Sequence, residues 1–345
     1  MVSLKKTIFL CFLFLLLFIL VALIAISVGP VSIGFKRVLA ILLSSVLPVS
    51  ADFNETDKAI IFTLRAPRIF LGAMVGAALS VAGGVFQALL RNPLADPYVL
   101  GVSSGSALGA VIGFALGVET TFLGTQGVSL FAFVGGAVSI LLLFFVARVK
   151  GELGSLTTLL TGVILNSFFG ALLMFVVTFF PGVFQAGVMS WLMGDLGMGA
   201  SRGSLVLGLY FLGSFLLIYY YSRGLNALSL GDESAQYLGL DVKRVKTLLL
   251  LAASLMTAVA VSVSGIIGFV GLIVPHAVRL IFGPDHRLVF PLSALVGASF
   301  LVGADTIARV AIAPGELPVG VVTALCGSPF FILVLKRTRL KEVVF

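Results

Sequence analysis

The chain has 345 residues, of which 60% are hydrophobic and only 10% charged, with a mean hydropathy of +1.21. A soluble domain carries about a quarter charged residues, so a soluble globular protein is excluded and a polytopic membrane protein in contact with lipid is expected. The formal net charge of +8 is not a nucleic-acid signature, because the basic residues sit in short clusters at the ends of apolar runs, following the positive-inside bias.

Lys5 and Lys6 precede the first apolar run, Thr7 to Val28. A signal peptide starts the same way, but its apolar core is about 7–15 residues and ends at a small-x-small site. This run is longer and has no convincing site, so it reads as an uncleaved first span. A span needs about 20 apolar residues. The candidates are 7–28, 68–90, 94–117, 128–147, 156–179, 203–221, 246–264, 266–282, 288–307 and 318–335. The fold class is therefore all-α, with ten transmembrane helices in a single domain over 1–345. Lys5 and Lys6 mark one terminus as cytoplasmic, and Lys336, Arg337, Arg339 and Lys341 mark the other, which requires an even number of spans. Ten spans also place Arg91, Arg148, Lys150, Arg223, Lys243, Arg244, Lys246, Arg279 and Arg287 inside, so that 15 of the 22 Lys and Arg share one side.

Arg65 and Arg68, in LRAPR, fall on the outer face against that bias. Pro67 suits a first helical turn, which puts both cations at a positive helix end. A partner carboxylate outside or snorkelling to lipid phosphates resolves this equally well. At Asn92-Pro93 and Asp96-Pro97 the apolar pattern breaks twice. Proline removes a backbone donor and disfavours helix at the residue before it. Irregular backbone at membrane depth is tolerated only against protein or a water-filled cavity. Arg91–Pro97 therefore lines a path or forms a turn at the interface, and the residues leave both open. Gly101, Gly105, Gly109, Gly113 and Gly117 follow at steps of four, an extended small-xxx-small stripe that predicts tight helix packing, after a shorter Gly72-xxx-Gly76. Thr161, Asn166 and Ser167 can hydrogen-bond between helices or face a water-filled path, with packing the better reading for each.

Ser222–Lys246 is the longest polar interval between two apolar runs. Asp232 can cap a short helix over Glu233–Leu238, Gly239 can stop it, and Asp241 can cap the next. Span parity puts this compact charged helix–turn–helix on the cytoplasmic side, where another protein can grip it. His276 and His286 have no acid or cysteine at ligand spacing, so no metal site is expected. Cys11 and Cys326 make no disulfide framework. Asp305 and Arg309 stand at i,i+4, a favourable helical pair. Asp195, Asp285, Asp305 and Glu316 all fall near span ends, whereas a proton-coupled carrier buries acids mid-span. GxxxxGK[ST] and HExxH are absent, so the chain is expected to be neither an enzyme nor a self-sufficient ATPase, and to need no cofactor. Arg65–Arg91 and Arg244–Arg287 each start basic and meet a proline break, a weak inverted symmetry of the kind transporters use.

The segments RAPRIFLGAMVGAALSVAGGVFQALLRNPLADPYVLGVSSGSALGA (65–110), GDESAQYLGLDVKR (231–244), SGIIGFVGLIVPHAVRLIFGPDHR (264–287), GADTIARV (303–310) and ELPVGVVTALCGSPFFILVLKR (316–337) resemble the FecCD-type permeases of binding-protein-dependent ABC importers. The resemblance implies a type II ABC importer permease fold in a bacterial cytoplasmic (inner) membrane. It implies a homodimer of permeases, two cytoplasmic ABC ATPase subunits and a periplasmic or extracellular substrate-binding protein. It implies a ferric siderophore as cargo, with vitamin B12 and haem as alternatives. A stand-alone secondary transporter is the competing reading. Residue by residue, Arg65, Arg68 and Arg309 match the family's docking arginines. Asn92 and Leu94 match the inner gate. Ser155 matches a second constriction, although Leu156 departs from the polar pattern there. Leu230, Gly231, Asp232, Glu233, Ala235, Leu238 and Gly239 match the coupling helices that sit on the ATPase.

Overall fold

The computed structural model describes residues 4–44, 54–118, 121, 124–149, 152–180, 186–197 and 203–342. In chain order the helices are α1 (Leu4–Ser27), α2 (Phe35–Ser44) and α3 (Glu55–Ala59), then a π-helical stretch (Ile60–Arg65) leading into α4 (Ala66–Leu90). There follow α5 (Val102–Ala115), α6 (Gly124–Ala147), α7 (Ser155–Phe179), α8 (Ala186–Leu192), α9 (Gly203–Tyr220), α10 (Ser222–Ser229) and α11 (Asp232–Tyr237). The last four are α12 (Val242–Ser264), α13 (Val270–Phe282), α14 (His286–Val310) and α15 (Val319–Glu342). Between α6 and α7, β1 (Arg148–Val149) and β2 (Glu152–Leu153) form a two-residue antiparallel ladder.

All ten expected spans coincide with a helix. Among the described residues, six helical segments are long and apolar enough to cross a membrane by themselves, and α9 with α10, bent by 52°, makes a seventh if the pair is one span. The helices α5, α13 and Val319–Leu333 of α15 are shorter. Two of these are short because their predicted spans start late. The span expected from residue 94 becomes helical only at Val102, since Pro93 and Pro97 deny the backbone donors a helix needs. The span expected from 266 becomes helical only at Val270. Each of these two half-helices starts from a left-handed N-cap residue, Gly101 (φ 81°) and Phe269 (φ 70°). Lys150 lies outside the described residues, as do the side chains of Arg337, Arg339 and Lys341.

At the centre is α4, which is buried along nearly its whole length and packs against α12, α13 and α14. Its contact with α14 is backbone to backbone. A Cβ at Gly76 would collide with the Gly297 carbonyl and stand 2.9 Å from Leu301 Cβ. The glycine ladder divides its work. Gly105, Gly109 and Gly113 press α5 onto α6 at Gly135 and Phe131, whereas Gly101 meets α7 at Leu165. Ser167 does not reach a neighbour, because its hydroxyl donates to Val163 O one turn back in its own helix (3.1 Å). The outward face of α1 is a continuous run of exposed Leu, Ile and Phe, as a lipid-facing helix requires.

Candidate functional site

The polar interval folds into the helix pair α10–α11. Leu225 and Leu228 of α10 and Ala235 of α11 turn inward and are buried. Between the two helices the chain reverses at Gly231, whose φ of 129° an L side chain rarely adopts. Past α11, Gly239 takes the left-handed conformation (φ 83°) and ends the helix as expected. Leu230, Leu238 and Tyr237 project from this knob and are 75%, 70% and 92% exposed. Asp241 caps α12, accepting from Arg244 N at 3.0 Å.

Asp232 does not act as the expected cap. Gly231 is the N-cap of α11 and supplies no side-chain bond. The Asp232 carboxylate instead spans two cations, Arg91 Nη2 at 2.6 Å and Lys246 Nζ at 2.5 Å. Arg91 also donates to Leu228 O (2.8 Å), so it touches both helices of the knob. A second tie runs to α14. Asn226 Nδ2 donates to Asp285 Oδ1 (2.9 Å), and Asn226 Oδ1 accepts from His286 N (2.9 Å). Asp285 is the N-cap of α14 and pairs with Arg287 (2.6 Å). Hydrogen bonds from Arg287, assisted by Asn226, hold its carboxyl well below the usual carboxylate range despite partial burial.

Arg91 is the left-handed C-cap of α4 (φ 48°) and leads directly into the proline-broken segment. There Asn92 Oδ1 accepts from Leu94 N (2.9 Å), and Asp96 Oδ1 accepts from Tyr98 N (3.1 Å), two successive Asx turns. Leu94, Asp96 and Tyr98 line an open cavity of about 480 Å³ together with Met193, Phe269 and Ala324. Of the residues 91–97, Leu94 and Asp96 border this hollow. Ser155, at the start of α7, donates to Leu89 O (3.3 Å) and faces a separate small recess beside Thr158 and Lys246. Ser155 and Leu94 thus border separate hollows.

The three outer arginines gather at the other end of α4, but not as free surface charges. Arg65 is 5% exposed and donates to the carbonyls of Ile26 (2.5 Å), Ser27 (3.3 Å) and Val31. It thereby satisfies carbonyls at the C-terminus of α1 that have no intrahelical partner. Arg309 is 3% exposed, donates to Ala25 O (3.1 Å) and pairs with Asp305 at 3.2 Å. Arg68 grips Asp305 (2.9 Å) and reaches the half-exposed Glu316 (2.8 Å). For Arg65, the chain's own carbonyls take the place of both an external carboxylate and lipid phosphates. Arg309 is buried and does not point outward.

One polar junction escaped the sequence reading. Gln87 Nε2 donates to Leu272 O (3.1 Å) and Gly271 O (3.3 Å), while Arg279 donates to Gln87 Oε1. This joins α4 to α13 behind the cavity. A lone glutamine in the apolar second half of α4 was its only signal.

The sequence model of the FecCD transport family matches residues 15–337. The chain is 45% identical over 280 residues to an uncharacterized ABC transporter permease protein of Bacillus subtilis (strain 168), YvrB, covering 81% of this chain and 79% of the relative. It is 44% identical over 305 residues to the cobalamin import system permease protein BtuC of Halobacterium salinarum, covering 88% and 80%. A solved chain, from a transporter assigned to the metal-chelate ABC type and captured facing inward, superposes with a TM-score of 0.79. The two are 28% identical, and the alignment covers 97% of this chain and 99% of that one. With the family model matched over residues 15–337 and the same helical architecture in the solved relative, this multi-pass membrane protein belongs to the FecCD transport family, as a non-catalytic permease subunit of an ABC importer.

Proposed function

We propose that this chain is the translocating subunit of an importer for a ferric siderophore, handed over by an external binding protein. Two copies face one another in a bacterial cytoplasmic membrane, and two ATPase subunits seat on α10–α11. The observation that carries this reading is the knob itself. Its exposed apolar residues Leu230, Tyr237 and Leu238 have no use in the chain's own core, and exposed apolar side chains clustered this closely mark a protein contact. The knob is fastened to Arg91, three residues from Leu94 at the cavity. ATP binding that favours one position of the knob then favours one arrangement of Asn92 and Leu94. A partner shifts such an equilibrium only by its difference in affinity for the two states.

Docking of the binding protein is assigned to Arg68, which shares its guanidinium with the half-exposed Glu316. Arg65 and Arg309 support that surface from beneath by holding the end of α1. Ser155 is proposed to act as a second constriction, in the recess it lines with Lys246.

Identity to a cobalamin import permease favours vitamin B12 as the second cargo; haem, which the resemblance also implies, is the third. The deciding experiment purifies the binding protein that docks on this permease and identifies its bound ligand. Uptake of labelled ferric siderophore, cobalamin and haem into proteoliposomes containing the matched ATPase follows. ATP-dependent accumulation of the ferric chelate is expected. Uptake of cobalamin or haem alone would reassign the cargo and leave the permease reading standing. Uptake driven by an ion gradient without the ATPase would sink it.

A further inference from the structure

We propose that Asp232 is the positioning residue through which the coupling knob sets the end of α4, and hence the gate segment that follows it. Three elements meet at this one carboxylate. Oδ1 takes Arg91 at the C-cap of α4, Oδ2 takes Lys246 in the second turn of α12, and the acid itself opens α11. Asp232 and Arg91 are both close to half exposed, and pairs so placed contribute little to stability. Their consequence is geometric. Arg91 holds a left-handed backbone that non-glycine residues rarely adopt (φ 48°), so its side chain leaves the end of α4 in one direction. That direction leads to Asp232 and to Leu228 O, one contact on each helix of the knob. The next residue is Asn92, whose side chain fixes Leu94 N. A tilt of α11 thus reaches the cavity through two side chains. The other fastening of the knob, Asn226 to Asp285, leads to the start of α14 and not to the gate. Lys246 adds the far side, since it also borders the recess of Ser155.

This inference rests on reading α10–α11 as the ATPase contact, and the test separates the two. Permease and ATPase are reconstituted together as wild type, Asp232→Asn, Arg91→Gln and the double variant, in complexes matched for subunit ratio. ATP hydrolysis and cargo uptake are measured on the same vesicles. Each single variant is expected to raise the ATP hydrolysed per cargo molecule imported by about threefold or more, with the double variant no worse than the worse single, as for residues acting as one unit. Asp232→Glu, which keeps the carboxylate, should return the ratio toward wild type. An unchanged ratio in Asp232→Asn overturns the inference. So does a double variant whose loss is the product of the two singles, because the residues then act separately. Failure of the Asp232 variants alone to assemble overturns it too, by making the acid an anchor for the ATPase. A wild-type chain that never assembles with the ATPase removes the coupling reading and this inference together.

Discussion

Arg68 and Asp305 are 237 positions apart, yet the guanidinium of one holds the carboxylate of the other through both oxygens, Nε at 3.1 Å to each and Nη2 at 2.9 Å. The pair locks the first turn of α4 to the last turns of α14, and Asp305 serves Arg309 at the same time. One buried acid therefore compensates two largely buried cations. Removing one partner of a buried pair costs about 3–5 kcal/mol, because the other charge is left uncompensated. Asp305→Ala is expected to lower the thermal unfolding midpoint of the detergent-solubilised protein strongly. Arg68→Ala should lower it less, since Asp305 keeps Arg309. Equal effects would show that the two arginines do not share the acid.

The crossing of α4 and α14 at Gly76 and Gly297 leaves no room for a side chain. Gly76→Val is expected to destabilise by about 1–3 kcal/mol or more, through overpacking of a backbone contact that cannot yield. Gly303, in the same α14, faces open space, and Gly303→Ala should stay within about 0.5 kcal/mol of wild type. Thermal unfolding of the two variants side by side checks the contrast.

Acid should weaken the tie between the knob and α14. Asp285 has its folded-state carboxyl pushed down by Arg287, so its contribution is present above the unfolded value of about 4 and is lost as pH falls toward the lower folded value. Asp285→Ala should therefore be less stable than wild type at neutral pH, with the gap narrowing from about pH 4 downward. Unfolding curves of both proteins between neutral and acidic pH test this. A gap that widens in acid would contradict the assignment.

Tyr237, Leu238 and Leu230 make little contact with their own chain. Tyr237→Ser with Leu238→Ser is expected to leave thermal stability within about 0.5 kcal/mol per site, as exposed substitutions do. The same change should weaken ATPase association by about tenfold or more, because exposed aromatic anchors carry much of an interface's energy. Size-exclusion copurification and a melting curve of the same preparation read both quantities.

Much of the fold was legible because apolar length and proline placement are local. Each of the ten expected spans met a helix, and Gly239 and Asp241 ended and began helices where the sequence placed them. The misses share one cause. Asp232 reads as a cap from its neighbours, but Arg91, 141 residues away, and Lys246 claim its carboxylate. Arg309 pairs with Asp305 as its spacing foretold, but the spacing could not show that α1 would fold over it.

The sequence by itself determined that this is a helical membrane protein and which stretches cross or break, because the cost of unpaired backbone in lipid acts on each segment separately. It also carried the family's motifs, and with them the kind of machine the chain serves. Only the tertiary structure decided which charges are spent inside the bundle and which remain at its surface. Three arginines that look alike in sequence became a clamp on α1 (Arg65), a shared bridge to Asp305 and Glu316 (Arg68) and a buried counter-ion (Arg309). A charge at a helix end takes whatever partner packing brings within about 3 Å, and packing is set by helices hundreds of residues apart.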